Sequence, residues 1–202
     1  LAADGLPGPD ALHSYLEASR LAFADRAQYV ADPDYVAPPG GRWDSLLQPR
    51  YLDERARLIT PRRAPQLGPG QPGRPGDRAS AWAPMPEQPE YGTSHISIVD
   101  RFGNVLAMTT TIEAGFGSRL MVTTDPARPG GFLLNNELTD FSFAPADDQG
   151  RPIANRVEAG KRPRSSMAPT LVFDAATGQA LMSAGSPGGA LIIHFTAKTL
   201  YG

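Results

Sequence analysis

Residues 61–90 hold eight Pro and four Gly, and their only long apolar side chains are Leu67, Trp82 and Met85. Proline lacks the backbone N–H and fixes φ, so no helix or interior strand can run through such a stretch. Whatever regular structure the chain builds must lie on either side of it. A literal G-x-G-x-x-G falls here at Gly68, Gly70 and Gly73. A dinucleotide-binding loop needs a strand before that motif and a helix after it, and Pro69 and Pro72 remove both. The stretch is read as a flexible linker that separates two segments.

Before the linker the pattern is helical. Leu12, Tyr15, Leu16, Phe23, Ala27 and Val30 fall at helical spacing behind Pro9-Asp10, which predicts a helix over about 9–30 with one apolar face, stopped by Asp32-Pro33-Asp34. A second helix is expected over about 49–59, carrying Tyr51, Leu52, Arg55 and Leu58. Beyond the linker the period changes to two. Ser94 to Asp100 alternates, Phe102-Gly103-Asn104 turns, and Val105 to Ile112 returns as a hairpin partner. Phe132–Leu134 predicts a third strand, and Leu171–Phe173 with Ala180–Ala184 a second hairpin around Asp174 to Gly178. Gly188 to Tyr201 predicts a closing helix through Leu191, Ile192, Phe195 and Leu200. Helices, then strands, then a helix give an α+β class.

With 202 residues and 41% hydrophobic side chains the chain has the apolar surface for a core. Its 19 basic and 21 acidic residues lack the basic excess of a nucleic-acid or membrane-surface binder, so neither partner is expected. The apolar run from Ala190 to Phe195 is far short of the ~20 residues that span a bilayer. The absence of Cys excludes disulfides, a thiolate nucleophile and Cys-ligated metal, and leaves cytosol and periplasm both open. The first residue is Leu1, with no signal-like region behind it, so the true start is expected to have been removed by processing or truncation.

Familiar catalytic patterns fail. His13, His95 and His194 lack metal-ligand spacing and read as ordinary helix or strand residues. In Gly185-Ser186-Pro187-Gly188-Gly189 the first glycine of G-x-S-x-G is replaced by Ala184, and Pro187 removes the backbone donor of an oxyanion hole. What remains is a series of hydroxyls, amides and glycines: Gly92-Thr93-Ser94-His95, Thr109-Thr110-Thr111, Asn135 to Asp140, Lys161 to Thr170, and Gly185 to Gly189. Taken alone, Thr93 reads as a strand-start residue, Asn135-Asn136-Glu137 as a strand-ending turn, and Ser165-Ser166 as a loop that bonds its own backbone.

In this order the motifs resemble the γ-glutamyltranspeptidase family of N-terminal nucleophile hydrolases, through almost all of residues 93–195. Tyr15-Leu16-Glu17-Ala18 and Leu21 to Arg26 are similar to the end of that family's large subunit. The resemblance implies a four-layer αββα sandwich, incomplete here, and three segments: 1–60 as the helical end of the large subunit, 61–92 as a linker ending at a self-cleavage site, and 93–202 as the start of the small catalytic subunit. It implies attack of the Thr93 hydroxyl on the Gly92 carbonyl, leaving Thr93 as a new N-terminus. An α-amine, with an ordinary pKa of about 7.7–8.0, can then take the hydroxyl proton without any His.

The remaining roles follow from the resemblance. Thr111 matches the threonine that orients the nucleophile's hydroxyl, and Gly188 and Gly189 match the oxyanion hole. Glu137 and Asp140 match the acidic pair that holds the substrate's α-ammonium, while Ser165 and Ser166 match the serines on its α-carboxylate. Glu113 stands where better-known members carry Asn, which is similar to the acylase-like branch and adds a third carboxylate beside the ammonium site. No cofactor and no metal are implied. The basic run Lys161, Arg162, Arg164 reads as solvated, and the Asp140–Ser165 connection as short for a lid.

The substrate implied is a γ-glutamyl small molecule or peptide, with glutathione foremost, and the partner is the rest of a large subunit cut from the same precursor. On this reading the chain is a fragment, expected to be poorly stable and inactive by itself. A glutaryl or cephalosporin-type acylase on the same scaffold is the nearest rival, and a non-catalytic homologue the second. Export to the periplasm or medium goes with the family, and a cytoplasmic place with the acylase-like branch.

Overall fold

Proline in the first turn opens both helices of the amino-terminal half, where a missing N–H costs no hydrogen bond. In this computed structural model, which describes residues 7–73, 81–123, 125, 127, 128 and 130–201, they are α1 (Pro9–Tyr29) and α2 (Pro49–Ala56). The expected segments' residues 1–6, 74–80, 124, 126, 129 and 202 lie outside the described ones. The chain divides into two compact units, Leu1–Gln88 with Phe141–Arg164, and Pro89–Asp140 with Ser165–Gly202.

In the first unit the buried stripe of α1 is Glu17, Leu21, Asp25, Gln28 and Tyr29, whereas Leu12 and Leu16 are 42% and 59% exposed. The apolar face expected from spacing is therefore not the one that packs. The physical reason lies in the Pro/Gly-rich stretch, whose described peptide groups join no helix or strand and draw side chains as hydrogen-bond partners. Glu17 accepts the Ala64 N–H at 3.1 Å. Asp25 accepts the Gly70 N–H at 2.7 Å, and Tyr29 donates to the Gly70 carbonyl at 2.6 Å. Gln28 donates to the Trp82 carbonyl. From α2, Arg55 donates to the Gly68 carbonyl at 2.9 Å and pairs with Asp25 at 3.2 Å.

The middle glycine of the G-x-G-x-x-G serves this packing. A Cβ at Gly70 would stand 2.2 Å from the Tyr51 hydroxyl oxygen, so only glycine lets the stretch lie against α2. Further along, Ala83 and Met85 are buried with Ile153, and Ala83 donates to the Pro152 carbonyl at 2.8 Å. The described parts of 61–88 thus lack helices and strands, as expected, but they are tied down and partly buried rather than flexible. The second helix also ends earlier than predicted, at Ala56, and Leu58 is 46% exposed.

The basic run is a second correction. The Lys161 side chain is fully buried and donates to the Ala154 carbonyl at 2.6 Å. Burial, then the neighbouring Arg156 charge, lowers its pKa. Arg162 clasps the buried Asp32 carboxylate through Nε at 3.0 Å and through one terminal nitrogen at 2.8 Å, and its own N–H adds a third bond at 2.8 Å. These hydrogen bonds hold Asp32 well below the usual carboxylate range.

The second unit holds all the strands among the described residues, as three antiparallel pairs: β1 (Ser94–Val99) with β2 (Val105–Thr110), β3 (Met121–Val122) with β4 (Phe132–Leu133), and β5 (Thr170–Phe173) with β6 (Ala180–Ala184). The short β3 carries no period of its own and was not predictable. Asp100 makes the first hairpin's turn by accepting from Phe102 and Asn104 N–H groups at 2.8 and 2.9 Å. Ile96, Ile98, Leu106 and Met108 share one face and are each 40–49% exposed. His95 and Ser97 point the other way, and the Ser183 hydroxyl of β6 donates to the Leu106 carbonyl at 2.8 Å. After Gly188, a 3-10 turn (Gly189–Leu191) leads into α3 (Ile192–Tyr201), so the predicted closing helix starts later than Gly188. The fold is mixed helix and strand, and among the described residues no helix is long and apolar enough to cross a membrane.

Asp25 accepts from Tyr51 at 2.7 Å as well as from Gly70. Asp25→Ala leaves a buried Arg55 without its carboxylate and is expected to destabilise the first unit by about 3–5 kcal/mol. Tyr51→Phe removes one hydrogen bond and is expected to lose about 1 kcal/mol. Urea unfolding of the two variants against the parent checks the ratio.

Candidate active site

Antiparallel pairing sets the first two site residues. Ser94 pairs with Thr110, so the register carried one step further brings Thr93 opposite Thr111. The Thr111 hydroxyl donates to the carbonyl of Gly92 at 2.8 Å, while its oxygen accepts the Glu113 N–H at 2.8 Å. In the continuous chain the hydroxyl expected to orient Thr93 is thus given to the carbonyl of the peptide bond that Thr93 closes. A hydroxyl donor there polarises that carbonyl and stabilises negative charge developing on its oxygen.

Glu113 follows at once, with a φ of 69° that a residue with a side chain rarely adopts. Such backbone costs about 1–3 kcal/mol and persists where surroundings over-determine it. They do so here. Its buried carboxylate accepts the Tyr91 N–H at 3.0 Å and the Asn136 amide at 2.6 Å, and Asn136 in turn accepts the Ala114 N–H at 3.0 Å. The sequence pattern gives Asn136 no role of its own, and its place just before the acidic pair is the one signal it carries.

The 3-10 turn Glu137–Asp140 carries the acidic pair. Burial, then the charges of Glu137, Glu90 and Glu113, push the Asp140 carboxyl up to about 7, and a hydrogen bond shared with Glu137 keeps its proton in place. Glu137 is raised by burial, against a hydrogen bond shared with Asp140, and the Glu113 charge adds to the rise. Carboxyl groups crowded this way favour the arrival of a cation, which relieves their repulsion.

Across the cleft, Ser166 is buried and donates to the Glu90 carboxylate at 3.0 Å. Ser165 is exposed and accepts the Met167 N–H at 3.1 Å, the local loop bond that a serine there makes by itself. Gly189 is buried at the start of the 3-10 turn before α3. A Cβ on it would stand 2.6 Å from the Glu90 carbonyl oxygen.

One cleft of the second unit is lined by Gly92, Thr93, Thr111, Glu113, Glu137, Asp140, Ser165, Ser166 and Gly189, together with Glu90, Tyr91, Met167 and Ile192. Of the sequence-predicted residues only Gly188 lies off the lining, exposed and with a φ of 135°. Among the described residues no group of three or more His, Asp or Glu side chains is arranged to hold a metal. His95 bonds to Thr109 at 2.8 Å inside its own hairpin.

Residues 1–202 match the family described as Gamma-glutamyltranspeptidase. The chain is 38% identical over 188 residues to the Glutathione hydrolase proenzyme of Bacillus subtilis (strain 168), covering 91% of this chain and 29% of that protein. It is 36% identical over 193 residues to the Glutathione hydrolase proenzyme of Escherichia coli (strain K12), covering 94% and 30%. It is 33% identical over 185 residues to the Acylase ACY 1 proenzyme of Pseudomonas sp. (strain SE83), covering 91% and 28%. The chain spans less than a third of the length of these relatives.

A carboxyl raised in the folded state favours folding while neutral, and that contribution is lost as pH rises through its folded value. For Asp140 the loss builds from the ordinary carboxylate range upward and is complete above about 7. Thermal melts at pH 5 and pH 8 are therefore expected to show Asp140→Asn gaining stability relative to the parent at the higher pH. A difference independent of pH would contradict the assignment.

Proposed function

Since the chain belongs to the gamma-glutamyltranspeptidase family, we propose that it cleaves itself between Gly92 and Thr93 and then uses Thr93 to move a γ-glutamyl group from glutathione or a related amide to water or an amino acid. The observation that carries this reading is the Thr111 hydroxyl at 2.8 Å from the Gly92 carbonyl oxygen, beside Thr93. In self-cleavage the Thr93 oxygen bonds to the Gly92 carbonyl carbon, the C–N bond breaks, and the hydroxyl proton ends on the released nitrogen. Water then splits the ester, leaving a Gly92 carboxylate and a Thr93 with free amine and hydroxyl.

In turnover the free amine takes the hydroxyl proton as the oxygen attacks the γ-carbonyl, and passes it to the departing amine. Water or an amino acid then attacks the γ-glutamyl ester and regenerates Thr93. Glu137 and Asp140, with Glu113 nearby, receive the α-ammonium, while Ser165 and Ser166 receive the α-carboxylate. Opposite charges and neutral donors are thereby matched to the two ends of one amino acid. The oxyanion takes backbone N–H groups of Gly189, from the cleft lining, and of Gly188, from the exposed position just before it. The working enzyme is a heterodimer cut from one precursor, in a four-layer αββα sandwich to which this chain contributes part.

Acylase activity is the second reading, supported by Glu113 and by the 33% identity to an acylase proenzyme. The higher identities to glutathione hydrolase proenzymes favour the γ-glutamyl reading.

Mass spectrometry of the full-length protein is expected to show a new N-terminus at Thr93, none in Thr93→Ala, and slowed cutting in Thr93→Ser. γ-Glutamyl-p-nitroanilide is expected to turn over faster than glutaryl-p-nitroanilide. The reverse order selects the acylase, and an intact Gly92–Thr93 bond overturns both.

A further inference from the structure

Three successive residues ahead of Thr93 are each held in the cleft. The Gly92 carbonyl accepts from Thr111 at 2.8 Å, and the Tyr91 N–H donates to Glu113 at 3.0 Å. Glu90 accepts from the buried Ser166 at 3.0 Å. The backbone of Glu90 also runs close over Gly189: a Cβ there would stand 2.6 Å from its carbonyl oxygen and 3.0 Å from its Cβ. Thr111 and Glu113 come from one stretch of the second unit and Ser166 and Gly189 from two others, so this seat is built by the fold and not by local sequence.

Glu90 is the unexpected member. It places a carboxylate in a cleft that already holds Glu113, Glu137 and Asp140, where like charges repel. The Ser166 hydroxyl gives it a hydrogen-bond donor that suits a carboxylate. Resting on the reading above, Ser166 is where the substrate's α-carboxylate binds, and Glu90 offers the same chemical group to the same donor.

We propose that Glu90 is a positioning residue for self-cleavage: before the cut its carboxylate takes the substrate carboxylate's place on Ser166, and this seats the Gly92 carbonyl on Thr111 for attack by Thr93. The substrate site is thus filled by the chain's own residues 90–92 until the Gly92–Thr93 bond is broken. Glu90 touches no reacting atom and acts through the placement of Gly92. Losing the anchor lets the carbonyl drift from its donor, and small misplacements of a reacting group slow a reaction steeply.

The test is a double-mutant cycle on the self-cleavage rate of the full-length protein, followed by mass spectrometry, with thermal melts to confirm that each variant folds. Glu90→Ala and Ser166→Ala are each expected to slow cutting by about 10-fold, and the double variant to be no slower than the slower single one, because both remove one interaction. Glu90→Gln keeps an oxygen that accepts from Ser166 and is expected to cut within about 3-fold of the parent. Parent-like cutting by Glu90→Ala, a double variant slowed by the product of the two effects, or a Glu90→Gln as slow as Glu90→Ala overturns the proposal while leaving self-cleavage standing. A parent protein that never cuts overturns self-cleavage itself, and the proposal with it.

Discussion

Peptide groups that cannot join a helix or a ladder still need hydrogen-bond partners, and a proline-rich stretch multiplies them. This requirement organises both units. In the first, Glu17, Asp25, Gln28 and Arg55 turn toward residues 64–82 and satisfy N–H and C=O groups there. In the second, Glu113 and Thr111 do the same for Tyr91 and Gly92. Buried polar side chains that would otherwise be costly become the glue, because each meets a backbone group outside the helices and strand ladders.

The cleft owes its chemistry to the same device. Side chains that hold residues 90–92 in the continuous chain are those whose types suit an amino acid's two charged ends: carboxylates toward a cation, hydroxyls toward an anion. Glu113 accepts backbone strain to do so, with its carboxylate committed at both oxygens. Burial, and then the crowding of Glu137, Glu90 and Glu113, raises Asp140 to about 7, so the acidic wall carries less negative charge than its residue count suggests until a cation enters.

Much of the fold was legible because period and punctuation are local properties. The hairpins at 94–110 and 170–184 follow from alternation and from Asp100 and Asp174, whose side chains bond the following backbone. The buried face of α1 was not legible, since spacing ranks Leu12 and Leu16 as core and knows nothing of the unsatisfied peptide groups that recruit Glu17 and Asp25. Lys161 misled in the same way: beside Arg162 and Arg164 it looks solvated, yet the Ala154 carbonyl holds its ammonium inside. Of the candidate site, the residue types and their order were legible, and all but Gly188 line one cleft. The roles of Asn136 and Glu90 depend on partners 23 and 76 residues away, which no local pattern reports.

The sequence by itself determined where regular structure could form, where it had to stop, and which hydroxyls, carboxylates and glycines were available for chemistry. Tertiary structure alone decided that the Thr111 hydroxyl meets the Gly92 carbonyl, that Glu90 lies on Ser166, and that Glu17, Asp25 and Gln28 of α1 turn inward beside Leu21 and Tyr29 while Leu12 and Leu16 stay exposed. The reason is one of range. Propensity, periodicity and turn chemistry act over a few residues. Hydrogen-bond satisfaction is settled by whichever groups the folded chain brings within about 3 Å.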